Sequence, residues 1–385
     1  MRIAVISARY GLDIVGGAET LARGLLEELV ARGHYVEVWT TCAHDYQTWQ
    51  NTFIGGSEMV NGVCVRRFTV DPWDADPFEG LTAKLLEKGQ LPVEEQYAWI
   101  ESGPSSAALY AHTANYQANF DFIVVIPVIS TLIFQAACLV LERLVVWPCL
   151  HDEIFAYQEP FRLLMEQAKG NIFNSPEERD LAESRLKMNL LNSAVIGSGV
   201  VLHEQAQLTS VVDPPYLLYI GRMDEGKNLP LLVEYVNRYV DEGYNLKLKT
   251  GGTGNFRLPN RPAFEHMGFV GELDKAELYA GALVLCQPSV KESFSLTMME
   301  SWLAGRPSLV HKNCAVTRGH VRRARAGLWF ETYGEFRGAL NWFQRHPDLS
   351  QRMGLNGRKY VHTNYTWPIV TDRFLATLRQ WQQEQ

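Results

Sequence analysis

The chain has 385 residues, 46% of them hydrophobic and 21% charged, which predicts a globular protein with room for two domains and excludes disordered and fibrous classes. Its six cysteines are scattered without a C-x-x-C pair, so neither a zinc site nor a disulfide framework is predicted. Residues 1–200 carry 14 Lys and Arg against 25 Asp and Glu, whereas residues 201–385 carry 22 against 18, which favours an anionic ligand on the second half and argues against a nucleic-acid partner.

The first half alternates strand-like and helix-like segments. MRIAVIS predicts a strand, AETLARGLLEELVARGH has apolar residues at helical spacing, and YVEVWTT predicts a second strand. Such strand–helix–strand units build parallel sheets. No export signal precedes the first strand, so a cytoplasmic protein is expected.

Residues 122–141 form an uncharged run that is long enough to span a membrane. The run is better explained by a strand, FIVVI, that ends at Pro127, then a helix, LIFQAACLVLERL, and a further strand, LVVWPCL. The acidic first half also argues against tight docking on anionic lipid. At most a peripheral contact with the inner face of a membrane is expected.

A second α/β series starts at PPYLLYIG, after the polar segment HEQAQLTSVVDPP, and continues to PSLVH. Residues 366–385 then predict one amphipathic helix. We therefore predict two doubly wound Rossmann-like domains, residues 1–205 and 212–365. The domains are expected to face a central cleft, because ligands of such folds bind at the carboxyl ends of the strands.

Two glycines, Gly16 and Gly17, precede the first predicted helix. Glycines let the backbone approach a ligand, and a helix N-terminus offers free N–H groups to an anion, although a plain tight turn explains the pair equally well. The dinucleotide fingerprint G-x-G-x-x-G is absent from this loop, which argues against an NAD-dependent oxidoreductase.

YIGRMDEGKN follows the first strand of the second domain and places Arg222 and Lys227 five residues apart. A forked guanidinium and an ammonium together suit a diphosphate; the alternative is a pair of exposed cations beside Asp224 and Glu225. GGTG, residues 251–254, follows the next predicted strand and supplies a flexible loop at the same edge of the sheet.

The stretch KESFSLTMMES carries Glu292 and Glu300, which an ideal helix would separate by about 12 Å. The two carboxylates therefore cannot share a proton or a metal. They either bind opposite ends of one elongated ligand, such as a sugar joined through a diphosphate to a ribose, or are ordinary surface residues. The N–H groups of residues 295–297 are predicted to point out of the helix start toward an anion.

Four motifs, GGAE, YIGRMDEGKN, GGTG and E-x7-E with Pro288 and Ser289 ahead of it, make the chain similar to the retaining glycosyltransferases of family 4 over nearly its whole length. The resemblance implies the GT-B fold, with the C-terminal helix crossing back to the first domain. Members commonly show E-G-F-G-L where this chain has ESFSL, a departure that restricts the loop and offers Ser295 Oγ as a phosphate or sugar contact.

The resemblance also implies roles in the donor site. Glu292 would contact the reacting end of the donor sugar, and Glu300 would bind the ribose hydroxyls. Arg222 and Lys227 would stabilise the leaving diphosphate. The other implied donor contacts are Gly16 and Gly17 over the phosphates, Val270 near the base, and Gly252, Phe294, Ser295, Leu296 and Thr297.

His151, in WPCLHDE, matches the histidine that the family places near the donor sugar. Asp152 beside it would orient the imidazole. The alternatives are a structural histidine and a helix-capping aspartate.

The implied activity is retaining transfer of a hexose from a nucleoside diphosphate sugar to a saccharide or lipid-linked saccharide in polysaccharide or glycolipid biosynthesis. UDP-hexose is the favoured donor, and GDP-mannose is the alternative donor. No metal or other cofactor is expected, because cationic side chains and helix N-termini supply positive charge to the leaving group. The alternatives are a non-hydrolysing sugar-nucleotide epimerase, a glycosyl phosphorylase and a non-catalytic nucleotide-sugar binding protein.

The acceptor is expected to bind first-domain loops, residues 43–60 and 71–118, which are rich in Trp, Tyr and acidic residues. The basic segment TRGHVRRARAG, residues 317–327, predicts a solvated helix, with contact to an acceptor or a phosphate as the alternative.

Overall fold

A computed structural model describes residues 1–201 and 214–383 of the chain. The chain divides into two compact units, one made of Met1–Gly199 with Val370–Gln385 and the other of Val200–Ile369. The predicted domain limits, residues 205 and 212, lie outside the described residues. The C-terminal segment packs with the N-terminal unit, as the predicted return of the last helix requires.

The N-terminal unit is built on a sheet with the strand order β3-β4-β2-β1-β5-β6-β7-β8. Among these strands, β3 runs antiparallel to β4, and the other neighbouring strands are parallel. The strands are β1 Arg2–Ile6, β2 Tyr35–Thr41, β3 Gly56–Val60, β4 Val63–Phe68, β5 Phe122–Val125, β6 Leu144–Val146, β7 Gly170–Phe173 and β8 Ser193–Val195. The helices are α1 Gly17–Ala31, α2 Ala75–Lys88, α3 Val93–Glu101, α4 Ala107–Tyr116, α5 Thr131–Ala137, α6 Glu159–Gln167 and α7 Pro176–Asp180.

The continuous apolar runs of β1 and β5 are explained by burial on both faces of this sheet. Strand β1 lies between β2 and β5, and Ile3 to Ile6 are fully buried. Strand β5 is buried in the same way at all four positions. Helices on both faces of a parallel sheet exclude water from such central strands.

The uncharged run at residues 122–141 is a strand and a short helix, as predicted, but the helix is shorter than expected. Helix α5 ends at Ala137 and a single turn of 3₁₀ helix leads into β6. Val140 and Leu144 beyond the helix end are buried, so the apolar pattern continues through the turn and does not mark where the helix stops. In the described part of the chain, no helix has the length and hydropathy needed to cross a bilayer.

The segments predicted as acceptor loops contain regular structure, which corrects that expectation. Residues 56–60 form β3, and residues 71–118 contain α2, α3 and α4. Asp74 begins α2 by accepting a hydrogen bond from the N–H of Asp76, and Gly89 ends it in the left-handed conformation. Trp99 and Leu109 anchor the next two helices in the core.

The C-terminal unit contains a six-stranded parallel sheet in the order β11-β10-β9-β12-β13-β14. The strands are β9 Tyr216–Ile220, β10 Lys247–Gly251, β11 Phe264–His266, β12 Val284–Gln287, β13 Ser308–His311 and β14 Gly327–Phe330. The helices are α8 Leu229–Asp241, α9 Glu272–Gly281, α10 Leu296–Leu303, α11 Ala315–Ala324, α12 Tyr333–Arg345 and α13 Pro347–Asn364, and α14 Trp367–Gln383 follows.

The basic segment forms α11, which is only half solvated. His320 is fully buried and shares a hydrogen bond with the Tyr360 hydroxyl at 3.0 Å. Burial lowers the pKa of His320 well below its usual range. Arg322 and Arg323 lie on the exposed face of α11, so the prediction of a solvated helix is confirmed for that face only.

Candidate functional site

Three glycine-containing loops lie against one another at the carboxyl ends of β9, β10 and β11. The N–H of Gly221 donates to the carbonyl of Gly251, and the N–H of Gly252 donates to the carbonyl of Gly268, at 3.0 and 2.7 Å. Gly252 has φ of 136°, and a Cβ there would fall 1.9 Å from the Gly221 oxygen. This loop contact therefore requires glycine at position 252.

Lys227 and Glu292 form an ion pair beside these loops. Asp224 caps a turn of 3₁₀ helix, Glu225–Lys227, by accepting the N–H of Lys227. The Lys227 ammonium lies 2.8 Å from Glu292 Oε1, and the two side chains are 19% and 10% exposed. The structure thus brings together a predicted cation after β9 and a predicted carboxylate after β12.

Arg222 has a different environment from Lys227. Its side chain is 76% exposed, and its Nη1 lies 3.4 Å from Asp224 Oδ2. An ion pair at that exposure contributes little free energy, so the guanidinium is able to change partners. The joint role of Arg222 and Lys227 on a diphosphate stays a prediction.

Glu300 is 9% exposed on α10 and has two partners on α9 that sequence reasoning missed. The Tyr279 hydroxyl donates to Oε2 at 2.8 Å, and the Lys275 ammonium lies 3.0 Å from Oε1. Burial raises the pKa of Glu300, while Lys275 opposes that rise. In the sequence, the Lys and the Tyr are four residues apart, which places them on one face of a helix. That spacing does not indicate which helix this face packs against.

Helix α10 starts directly after the ESFS segment, residues 292–295. Ser295 is buried in the left-handed conformation with φ of 75°, and its Oγ accepts a hydrogen bond from Gln287 Nε2 at 3.2 Å. Gln287 Nε2 also lies 3.5 Å from Thr297 Oγ1. Leu296 is the first residue of the helix, so residues 295–297 stand at its N-terminus as predicted.

Phe294 is a core residue. It is 5% exposed and packs edge-to-face on His320 and Tyr365. Only its backbone is left for a donor contact.

Val270, the predicted base contact, is half-buried, and its Cγ2 would lie 2.7 Å from a Cβ placed on Gly251.

In the N-terminal unit, Gly16 and Gly17 stand at the N-terminus of α1 as predicted. A Cβ on Gly16 would fall 2.1 Å from Glu19 Oε2. Glu19 is buried, and its Oε1 accepts hydrogen bonds from Arg9 and from the Tyr46 hydroxyl at 2.6 and 2.7 Å. A side chain at position 16 would therefore displace the Glu19 carboxylate, which belongs to a buried ionic cluster that sequence reasoning missed.

His151 follows β6 in the same unit with a side chain that is 32% exposed. Its Nδ1 lies 3.6 Å from Glu153 Oε1. Asp152 instead pairs with Arg185 and accepts a hydrogen bond from the Tyr157 hydroxyl. The prediction that Asp152 orients the imidazole is therefore wrong, because its carboxylate is bound by other residues.

Residues 1–201 and 214–383 contain no group of His, Cys, Asp and Glu side chains arranged to hold a metal ion.

The whole structure is similar to solved glycosyltransferase structures. It matches sucrose-phosphate synthase of Thermosynechococcus elongatus with a TM-score of 0.71 at 17% identity, over 100% of both chains. It matches Anabaena HepE in complex with UDP-glucose with a TM-score of 0.70 at 15% identity, over 99% of this chain and 100% of that one. The fold is GT-B.

Two sequence comparisons accompany this GT-B fold. Residues 202–360 match the family model of the glycosyl transferases group 1. The chain is also 24% identical to a Methanocaldococcus jannaschii protein named uncharacterized glycosyltransferase MJ1607, over 96% of both chains. The family match spans the unit that carries Lys227, Glu292 and Glu300.

Proposed function

We propose that the protein is a retaining glycosyltransferase that moves a hexose from UDP-hexose to a hydroxyl of a saccharide or lipid-linked saccharide. The observation that carries the proposal is the ion pair of Lys227 with Glu292 at 2.8 Å, in the unit that matches the group 1 glycosyl transferases. UDP is favoured over GDP because the similar HepE structure holds UDP-glucose.

The diphosphate of the donor would bind where positive charge is available. Lys227 lies beside the loop that leads to α10, and the N-terminus of α10 offers N–H groups to an anion. Arg222 is exposed at the end of β9 and is free to bind phosphate oxygens with its fork of donors. Together they stabilise the charge that develops on the leaving group, without a metal ion.

The reaction exchanges one bond to the anomeric carbon for another on the same face. The bond from that carbon to the β-phosphate oxygen breaks, and its electron pair leaves with UDP. The acceptor oxygen forms the new bond, and its proton passes to the departing phosphate oxygen. Retaining glycosidases instead need two carboxylates about 5 Å apart, and the eight-residue spacing of Glu292 and Glu300 does not supply such a pair.

Glu292 keeps its predicted role at the reacting sugar, held beside Lys227 until a diphosphate competes for the ammonium. His151 is proposed to contact the donor sugar from the N-terminal unit, and Gly16 and Gly17 to contact its phosphates. Polysaccharide or glycolipid biosynthesis is the proposed setting.

The test is to incubate the protein with UDP-glucose, other UDP-hexoses and GDP-mannose in the presence of EDTA, and to measure nucleotide release and the anomeric configuration of the sugar by NMR. We expect release of UDP with an α-configured product, and a loss of at least 100-fold in rate in Glu292→Gln. A matched control is Glu331→Gln, which removes an exposed carboxylate that pairs with Lys312 in the same unit. Inversion of the anomeric centre, or release that requires a divalent metal, would overturn the proposal.

A further inference from the structure

The carboxylate of Glu300 is held by two side chains that the E-x7-E motif does not predict. This carboxylate lies between α10 and α9, and each oxygen accepts from a different side chain, Oε1 from Lys275 and Oε2 from Tyr279. Tyr279 is fully buried, and the Lys275 side chain is 13% exposed. A carboxylate that is held at both oxygens cannot rotate, so its plane is fixed.

We propose that Lys275 and Tyr279 are positioning residues that orient Glu300 to accept hydrogen bonds from the vicinal hydroxyls of a ribose. The inference rests on the proposed function, because it assigns the ligand of Glu300 to a nucleotide. Each carboxylate oxygen accepts two hydrogen bonds, so one acceptor position on each oxygen remains after Lys275 and Tyr279 are bound. Two adjacent hydroxyls fit two adjacent oxygens.

Lys275 also keeps Glu300 in its charged form. A buried carboxyl group without a cation becomes neutral and then donates one hydrogen bond instead of accepting two. Lys275 opposes this loss of charge by lowering the pKa of Glu300. Burial alone would lower the pKa of Lys275 itself, but Glu300 and Glu272, which lies 2.8 Å from the ammonium, raise it. The ammonium therefore stays charged beside Glu300.

The deciding experiment compares binding of UDP, GDP and ADP with binding of their 2′-deoxy counterparts by calorimetry. The wild-type protein is expected to bind one ribonucleotide about tenfold or more tightly than its 2′-deoxy form, since hydrogen bonds to a charged group are strong. In Tyr279→Phe and in Lys275→Met that preference is expected to fall to about twofold, through weaker binding of the ribonucleotide alone. Lys275→Arg, which keeps the charge, is expected to restore part of the preference.

The matched control is Tyr216→Phe. The Tyr216 hydroxyl is bonded to the carbonyl of Leu278 on α9 at 2.6 Å, so this variant loses a hydrogen bond to the same helix without contacting Glu300. We expect its ribose preference to equal that of the wild type. Melting temperatures of all variants show which of them fold.

Three outcomes would overturn the inference. If Tyr279→Phe and Lys275→Met weaken both nucleotide forms equally, the two residues are merely structural. If the wild-type protein binds UDP without preferring ribose, Glu300 has another ligand and the proposed function still stands. If no nucleotide binds, the proposed function falls as well.

Discussion

Glu178 shows how a single buried carboxyl group fixes the loop that carries His151. Its Oε1 accepts the N–H of Leu150 at 2.5 Å and its Oε2 accepts the N–H of Asn174 at 2.6 Å. Burial raises the pKa of Glu178 to about 8, although these N–H groups oppose the rise. The loop that leads to His151 is thus tied to a group that titrates near neutral pH.

This pKa predicts that the protein loses stability as pH rises from about 4.5 to about 8. The folded protein holds the Glu178 proton up to pH about 8, whereas the unfolded chain loses it near its usual 4.5, so the free energy of unfolding falls as pH rises between these values. At about 1.4 kcal/mol per pKa unit, the loss is on the order of 3–5 kcal/mol. The nearby Cys149 thiol, whose pKa burial raises, keeps its proton throughout this range.

The measurement is urea unfolding at several pH values between 5 and 9 for the wild type and Glu178→Gln. The amide cannot ionise, so the difference in stability between the two proteins should shift in favour of the variant as pH rises. Parallel pH dependences for the two proteins would show that folding does not raise the pKa of Glu178.

For single residues, the sequence predicted which charged side chains belong to the candidate site but not which side chains they contact. Lys227 and Glu292 are each predicted as site residues, but their ion pair could not be predicted because 64 residues separate them in the sequence. Lys275 and Tyr279 were not singled out at all, since a Lys and a Tyr on a helix are unremarkable until the fold places Glu300 against them.

At the scale of elements, the packed glycine loops of the C-terminal unit give a sharp test. Gly252→Ala would force a Cβ to 1.9 Å from a backbone oxygen, which no side-chain movement relieves. We expect a loss of about 1–3 kcal/mol in the free energy of unfolding and weaker nucleotide binding. Denaturant unfolding and calorimetry with UDP measure both effects.

The matched control is Gly338→Ala, inside α12, where a Cβ meets nothing within 4 Å. Alanine is favoured over glycine in a helix interior by about 0.5–1 kcal/mol, so this variant should be slightly more stable and should bind UDP as the wild type does. Equal stability of Gly252→Ala and Gly338→Ala would mean that the loops move apart readily.

Sequence patterns predicted the central strands and the helices between them, because buried parallel strands are continuous apolar runs with turn residues at their ends. They failed for α2, α3 and α4, because each of these helices buries only a few side chains, such as Leu85 and Trp99. They also misplaced the end of α5, where apolar residues continue into the turn that leads to β6.

At the scale of the whole molecule, the sequence predicted the GT-B fold from four short motifs in a fixed order, and the full-length similarity to solved structures confirms that fold. The surplus of positive charge after residue 200 coincides with the unit that matches the group 1 glycosyl transferases. The identity of the acceptor could not be predicted, because the first-domain segments expected to bind it form helices and strands that the pattern did not reveal.

The central claim is that the C-terminal unit binds a nucleoside diphosphate through Glu300 and Arg222. The most direct test is the melting temperature of the wild type, Glu300→Ala, Arg222→Ala and the control Glu331→Ala against UDP, GDP, ADP and their hexose conjugates, without added metal. We predict that one nucleotide raises the melting temperature of the wild type and of Glu331→Ala by a few degrees at saturating concentration, and raises it less in the other two variants. An unchanged melting temperature with every nucleotide would contradict the account.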